Sequence, residues 1–245
     1  MSRGLPGSRP ILFGHRGALG YAPENTIVGF KLALAQGATG LESDAWLAAD
    51  GVPVLVHDET IRRPGRRHFV TRRAAAELGA FDVPTLAELY DACGTGYELS
   101  LDVKDEAVAA ALIAVAETAG AVEQLWLCHH EVGPLVGMRA ASPAVRLVHS
   151  PNLRAIEARF KAHVAELARL DVDALNMRWR AWSPERLEAV HRQGLLAFAW
   201  DANADPAVER LIGLGVDGIY SDYPDRLVAA VVAHDRAAGV LPAWR

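Results

Sequence analysis

The stretch LESDAWLAADGVPVLVHD, residues 41–58, decides the fold, because it holds two strand-like runs with no helix between them. Parallel neighbours need a crossover of a dozen or more residues, so VPVLVHD (52–58) cannot follow LESDAW (41–46) in a parallel sheet and must turn back on it. The Asp50-Gly51 pair between them suits a two-residue hairpin turn, and counting outward from it sets Asp44 opposite His57. Glu42 and Asp44 are two apart and share one face of the strand. The reading therefore gathers Glu42, Asp44 and His57 at one level.

With 52–58 assigned to the hairpin, eight strand-like runs remain: ILFGH (11–15), LESDAW (41–46), ELSLDVK (98–104), QLWLCHH (124–130), VRLVHS (145–150), ALNMRW (174–179), LLAFAWD (195–201) and GIYSDY (218–223). Helix-like runs separate them. Thr85 with Glu88 reads as a capping box, and Ser183-Pro184 and Asp205-Pro206 each place a cap before a first-turn proline. Gly37, Gly94, Gly120, Gly194 and Gly215 mark helix ends. Eight βα units in 245 residues predict an α/β fold, a (β/α)8 TIM barrel forming a single domain over 1–245. Strand two carries the hairpin extension, a short insertion loop follows it, and residues 1–9 are expected to be flexible. The alternative is an open doubly wound sheet, but no GxGxxG turn joins its first strand to its first helix.

Twenty-five Lys and Arg against thirty Asp and Glu leave a net charge of -5, with no basic field to hold nucleic acid. Cys93 and Cys128 lie far apart and match no disulfide framework or zinc site; both read as small buried apolar residues. The first ten residues lack a signal-peptide core, and no apolar run is long enough to span a bilayer. The expectation is a cytoplasmic protein without stable membrane insertion, its oligomeric state left open.

Polar residues cluster at the C-terminal ends of the first three strands, where barrel active sites lie: His15 and Arg16, Glu42 and Asp44, Asp102 and Lys104. Three converging carboxylates would repel one another unless a cation sat among them, and an all-oxygen set suits one divalent cation, Mg²⁺ or Ca²⁺. Ion pairs from Arg16 and Lys104 could instead close the mouth without a metal. Two histidines beside the acids, with two cations to hold an anion, are the equipment for cleaving a phosphate ester.

HRGALGYAPENT (15–26), LESDAW, VLVHD (54–58), LDVK (101–104), FAWDAN (198–203) and GVDGIYSDYPD (215–225) resemble, in order and spacing, the glycerophosphodiester phosphodiesterase family. The resemblance covers nearly the whole chain. It implies a (β/α)8 barrel and metal-dependent hydrolysis of a small-molecule glycerophosphodiester to glycerol 3-phosphate and an alcohol. Carried over, it makes His15 and His57 the acid/base pair, with Arg16 and Lys104 on the phosphate and Glu42, Asp44 and Asp102 on the metal. Glu24 is expected to orient the first loop or reach the site through a hydrogen bond, and Trp200 to wall the glycerol or a quaternary-ammonium headgroup.

Three departures stand out. LDVK has Asp102 where the family pattern has a Glu, one methylene longer. About twenty-five residues separate Asp58 from Pro84, a shorter insertion than is common in the family, and RRPGRRHFVTRR (62–73) within it has six arginines. That run reads as a solvated loop or as a collar for anionic phosphodiesters. Trp200-Asp201-Ala202-Asn203 replaces Trp-Thr-Val-Asn. Trp179 and Trp182 are either rim packing or substrate walls, and His129, His130 and Glu131 are rim residues. Three other functions compete. They are a lysophospholipase D, a phosphosugar-processing barrel using Gly215-Val216-Asp217-Gly218 as a phosphate turn, and a barrel that binds a phosphate ligand without turnover.

Overall fold

The computed structural model describes residues 9–63 and 66–239. The strands are β1 (Ile11–Gly14), β2 (Gly40–Leu47), β3 (Pro53–Leu55), β4 (Thr60–Arg63), β5 (Arg66–Phe69), β6 (Glu98–Val103), β7 (Leu125–His129), β8 (Arg146–His149), β9 (Ala174–Arg178), β10 (Leu196–Trp200) and β11 (Gly218–Ser221). Eight of them, β1, β2 and β6 to β11, run parallel, and β1 pairs with both β2 and β11, which closes the barrel. All eight sequence-predicted strands are present. Of the tail expected to be flexible, only Arg9 is described, and it is ion-paired to Asp235 at 2.7 Å. Among the described residues, no helix is long and apolar enough to cross a membrane.

Period-2 alternation sorts each strand between two cores. Leu41, Leu99 and Leu101 pack outward under the helices, while Phe13, Trp126, Cys128, Phe198 and Tyr220 fill the barrel. Phe13 stacks on Tyr220 with ring centres 4.5 Å apart, and Trp126 leans on Phe198 at 5.1 Å. A Cβ on Gly40 would come within 2.5 Å of the Phe13 ring, and one on Gly218 within 2.6 Å of Phe198. The two glycines leave the room these rings occupy. On β6 the inward face climbs from Glu98, bonded to Trp126 Nε1 at 2.6 Å, through Ser100, 3.0 Å from Tyr220 Oη, to Asp102 at the mouth.

The hairpin forms, but its register differs from the sequence expectation by one residue. Ala45 pairs with Leu55 and Leu47 with Pro53, so Asp44 stands against Val56, whose N–H donates to Asp44 O at 2.9 Å. Gly51 N–H closes on Ala48 O, Ala48 N–H bonds Val52 O, and Gly51 has φ +79°. This is a three-residue loop with glycine in the left-handed position, rather than the two-residue turn that Asp-Gly alone suggests. Pairing to β2 stops at Leu55, and Trp46 Nε1 donates to His57 O at 3.2 Å, holding the backbone as it bends.

The capping box at Thr85 and Glu88 is made, and Ser183 caps its helix as expected. At Asp205-Pro206 the cap lies one residue earlier, on Ala204, and Asp205 is already helical. The arginine-rich insertion folds as a second two-stranded sheet, β4 against β5, followed by a short helix at Ala75–Gly79.

Candidate active site

The mouth at the C-terminal ends of the strands is a cavity of about 350 Å³ lined by His15, Arg16, Glu42, Asp44, His57, Asp102, Lys104, Trp200 and Asp222, among others. In the β2–β6 ladder Asp44 pairs with Asp102, and each of Glu42, Asp44 and Asp102 offers an oxygen within 4.8 Å of the others. Glu42 and Asp44 are buried; Asp102 is half-buried at the mouth.

The first loop is built tightly around these acids. Arg16 has φ +49° and Asn25 φ +54°, conformations that cost a non-glycine residue roughly 1 kcal/mol each. Gly17, at φ +86°, could not carry a Cβ, which would fall 2.7 Å from the Gly29 backbone. The strained turn delivers the Arg16 N–H to Glu42 Oε2 at 2.8 Å, while the Arg16 guanidinium bonds Glu24 Oε2 at 2.6 Å. Glu24 thus acts on Arg16. Asn25 bridges Ser43 at 2.7 Å and Asp44 at 3.3 Å.

His15 Nδ1 lies 2.6 Å from Asp222 Oδ1, and its Nε2 is 3.8 Å from Glu42 Oε2. Asn203 fixes Asp222 by donating to Oδ2 at 2.7 Å and accepting the Asp222 N–H at 2.8 Å. Burial alone would lower the His15 pKa, but Glu42 and Asp222 together outweigh it and hold it above the usual histidine value. His57 is more exposed, and its ring bonds its neighbour, with Nδ1 2.7 Å from Asp58 Oδ1.

Lys104 Nζ is 2.8 Å from Asp44 Oδ1 and 3.5 Å from Asp102 Oδ2, and Arg16 Nε is 3.5 Å from Asp44. The ion pairs foreseen as an alternative to a metal therefore exist, and they serve chiefly Asp44. Glu42 receives the Arg16 N–H and a distant His15. Burial pushes its pKa up to about 8, with Asp44 and Asp102 adding to the rise against His15. Asp102 is raised by burial and by Asp44, against Lys104. The chain's own cations leave Glu42 short of positive charge. An all-oxygen set of this kind fits a hard divalent cation.

Every sequence-predicted site residue lines this cavity except Glu24, which acts one step behind it. Asp222, Asn203 and Asn25 also hold the mouth together, and the sequence alone does not point to them. Each sits inside a motif singled out earlier, but as a neighbour of a named residue. His129 accepts the Glu131 N–H at 3.0 Å on a separate rim depression, and Trp182 is buried with its Nε1 on Phe198 O at 2.9 Å. Asp217 accepts the Ala197 N–H at 2.8 Å and pairs with His191 at 2.7 Å, where β11 begins, at the opposite end from the mouth. Gly215–Gly218 is thus not a phosphate turn at the site.

A closed (β/α)8 barrel with acids, histidines and cations at one mouth defines the class as a barrel hydrolase site for an anionic ester. Residues 15–226 match the glycerophosphoryl diester phosphodiesterase family, and the chain belongs to that family and is an enzyme of it. A glycerophosphodiester phosphodiesterase of Caldanaerobacter subterraneus is 26% identical over 243 residues, covering 91% of this chain and 98% of that protein. A phosphodiesterase of Oleispira antarctica, solved with the product sn-glycerol-3-phosphate, is similar at 25% identity with a TM-score of 0.79, covering 91% of this chain and 97% of its own. A Thermotoga maritima glycerophosphodiester phosphodiesterase shares the fold, with a TM-score of 0.80 at 20% identity over 90% of this chain and 98% of its own.

Proposed function

We propose that this chain hydrolyses glycerophosphodiesters to glycerol 3-phosphate and an alcohol, with His15 and His57 as the acid/base pair. The observation that carries the reading is the convergence of Glu42, Asp44 and Asp102 within 4.8 Å, with His15 Nε2 3.8 Å from Glu42. When bound by these three carboxylates, Mg²⁺ or Ca²⁺ supplies charge neutralisation and lowers the pKa of a hydroxyl in contact with it.

The chain's own groups supply the proton transfers. Asp222 accepts from His15 Nδ1, which leaves Nε2 of the neutral ring as the basic nitrogen facing the acids. His15 takes the proton of an attacking water there, or of the neighbouring glycerol hydroxyl. In that second case the alcohol leaves a cyclic glycerol phosphate, which a water deprotonated by His57 opens to glycerol 3-phosphate as His15 returns its proton to the glycerol oxygen. Asp58 holds Nδ1 of His57, leaving its Nε2–H to protonate the departing alcohol. Arg16 and Lys104 hold the phosphate. Glu24 keeps Arg16 in place, and Trp200 walls the far side.

The decisive experiment is a coupled assay of glycerol 3-phosphate release from the choline, ethanolamine, glycerol and inositol diesters, each with Mg²⁺, Ca²⁺ or chelator. Release that depends on the cation is expected; none from any substrate overturns the reading, and chelator-resistant release removes the cation from it. A second reading, lysophospholipase D action, has one observation behind it. An apolar groove of about 870 Å³, lined by Ile27, Val28, Ile61, Phe81 and Val83, adjoins Glu24 and Asn25. Faster turnover of micellar than of soluble diesters would favour it.

A further inference from the structure

Across the mouth from the acids stands a second charged group that the proposed chemistry does not use. In the closed barrel β9 lies opposite β2, four strands away in either direction. Arg178 is the last residue of β9 and shares its inward face with Asn176, which lines the cavity. Trp200 is the last residue of β10 and shares its inward face with Phe198 of the barrel core. Arg178 and Trp200 are register partners, so they stand side by side in the uppermost layer.

The guanidinium of Arg178 lies 5.8 Å from the centre of the Trp200 ring. Asp201 follows with φ +65°, a left-handed conformation unusual for aspartate. Both Nε and Nη2 of Arg178 reach Asp201 Oδ2, at 2.7 Å and 2.6 Å. Trp200 is 42% exposed, so the group faces the mouth rather than the core.

A phosphodiester whose phosphate is held by Arg16 and Lys104 shares its cavity with Trp200 and Asp201 of this wall. An ammonium headgroup would look for an aromatic face and a carboxylate. Both are present, and both are already taken by Arg178, whose charge repels a second cation. Arg178 Nη1 and Asp201 Oδ1 have no partner among the described residues, a donor and an acceptor suited to neighbouring hydroxyls. We propose that Arg178 and Asp201, seated against Trp200, select phosphodiesters whose leaving alcohol is an uncharged polyol over those whose alcohol carries an ammonium group. The inference rests on the phosphodiesterase reading and concerns which diester the same site prefers.

The test is kcat/KM for glycerophosphoglycerol and glycerophosphocholine, by release of glycerol 3-phosphate, in the native chain, Arg178→Ala and Asp201→Asn. Both substrates share the glycerol phosphate and differ only in the alcohol. The native chain favours the glycerol diester by about tenfold, a step of about 1.4 kcal/mol. Arg178→Ala frees Asp201 and the Trp200 face, and the ratio falls to unity or inverts. Asp201→Asn leaves Arg178 uncompensated, and the ratio widens. Equal rates on both substrates in the native chain overturn the proposal. So does an equal loss on both in Arg178→Ala, which would place the shared glycerol at this wall. Absence of release from either diester by the native chain would overturn the activity itself, and the selectivity with it.

Discussion

His15 and His57 enter the same cavity on supports of different stiffness. His15 follows β1, in a loop that bonds Glu42, Asp44 and Asp222, and Asn203 holds Asp222 by two further hydrogen bonds. His57 sits where a hairpin leaves its ladder, held by one Trp46 hydrogen bond to its carbonyl and by its neighbour Asp58. The difference teaches that a barrel can fix one histidine by closure and let the other be placed by local turn chemistry. On the stiff side, Glu42 and Asp222 outweigh burial and raise the His15 pKa.

The largest way to break the comparison is to remove either ring. His15→Ala and His57→Ala are each expected to lower kcat by roughly 10³-fold, within the usual range for general acid/base groups. Steady-state kinetics check this, and near-native turnover in either variant would remove that histidine from the mechanism.

The second way is to remove the rings' partners. Asp222→Asn should cost about tenfold or more in kcat, part of the roughly 10² to 10⁴ that a positioned base supplies. Because Asp222 helps raise the His15 pKa, its loss should also move the acid limb of the pH–rate profile to lower pH. Asp58→Asn, at an exposed pair, should change kcat by less than about threefold. Equal losses in the two variants would show that His57 is as dependent on its partner as His15.

Cation binding tests the stiff side alone. Burial raises the Glu42 pKa to about 8, so a proton and a divalent ion should compete for this carboxylate. Affinity for Mg²⁺ or Ca²⁺ should therefore rise with pH, by up to about tenfold per unit, and level off above about 8. Titration calorimetry at several pH values would show the slope, and Glu42→Gln should flatten it while weakening binding.

The smallest effect on turnover comes from the far strands. His149 is buried, donates from Nε2 to His130 O at 3.1 Å and accepts at Nδ1 from His163 Nε2 at 3.1 Å. Burial and His163 push its pKa down to about 4. A histidine lowered on folding contributes stability that is complete above 6.5 and is lost as pH falls toward 4. Urea denaturation of the native chain and His149→Asn should therefore differ less at pH 5 than at pH 7, by about 2 kcal/mol. An unchanged difference would mean the pair is not held neutral.

Much of this was legible because strand periodicity is a local property. Glu42, Asp44 and Asp102 could be assigned to inward faces from spacing alone, and their convergence needed only the barrel that the eight strands imply. The hairpin was legible in kind and not in register. Asp50-Gly51 fits both a two-residue turn and a three-residue loop with Gly51 left-handed, and the choice between them depends on how β3 also packs on Pro84 and Thr85. His57 reaches the mouth even so, because the chain leaves the ladder before the register could turn it away.

By itself the sequence determined the strand count, the inward faces and the set of groups available at the mouth, since alternation and crossover length follow from backbone geometry. Only the tertiary structure decided how those groups pair. His15 meets Asp222 across 207 residues because β11 closes on β1, and Arg178 meets Asp201 because β9 and β10 align in register. Long-range partners of this kind depend on barrel closure, which no local pattern encodes, and they set which charge each ionisable group feels.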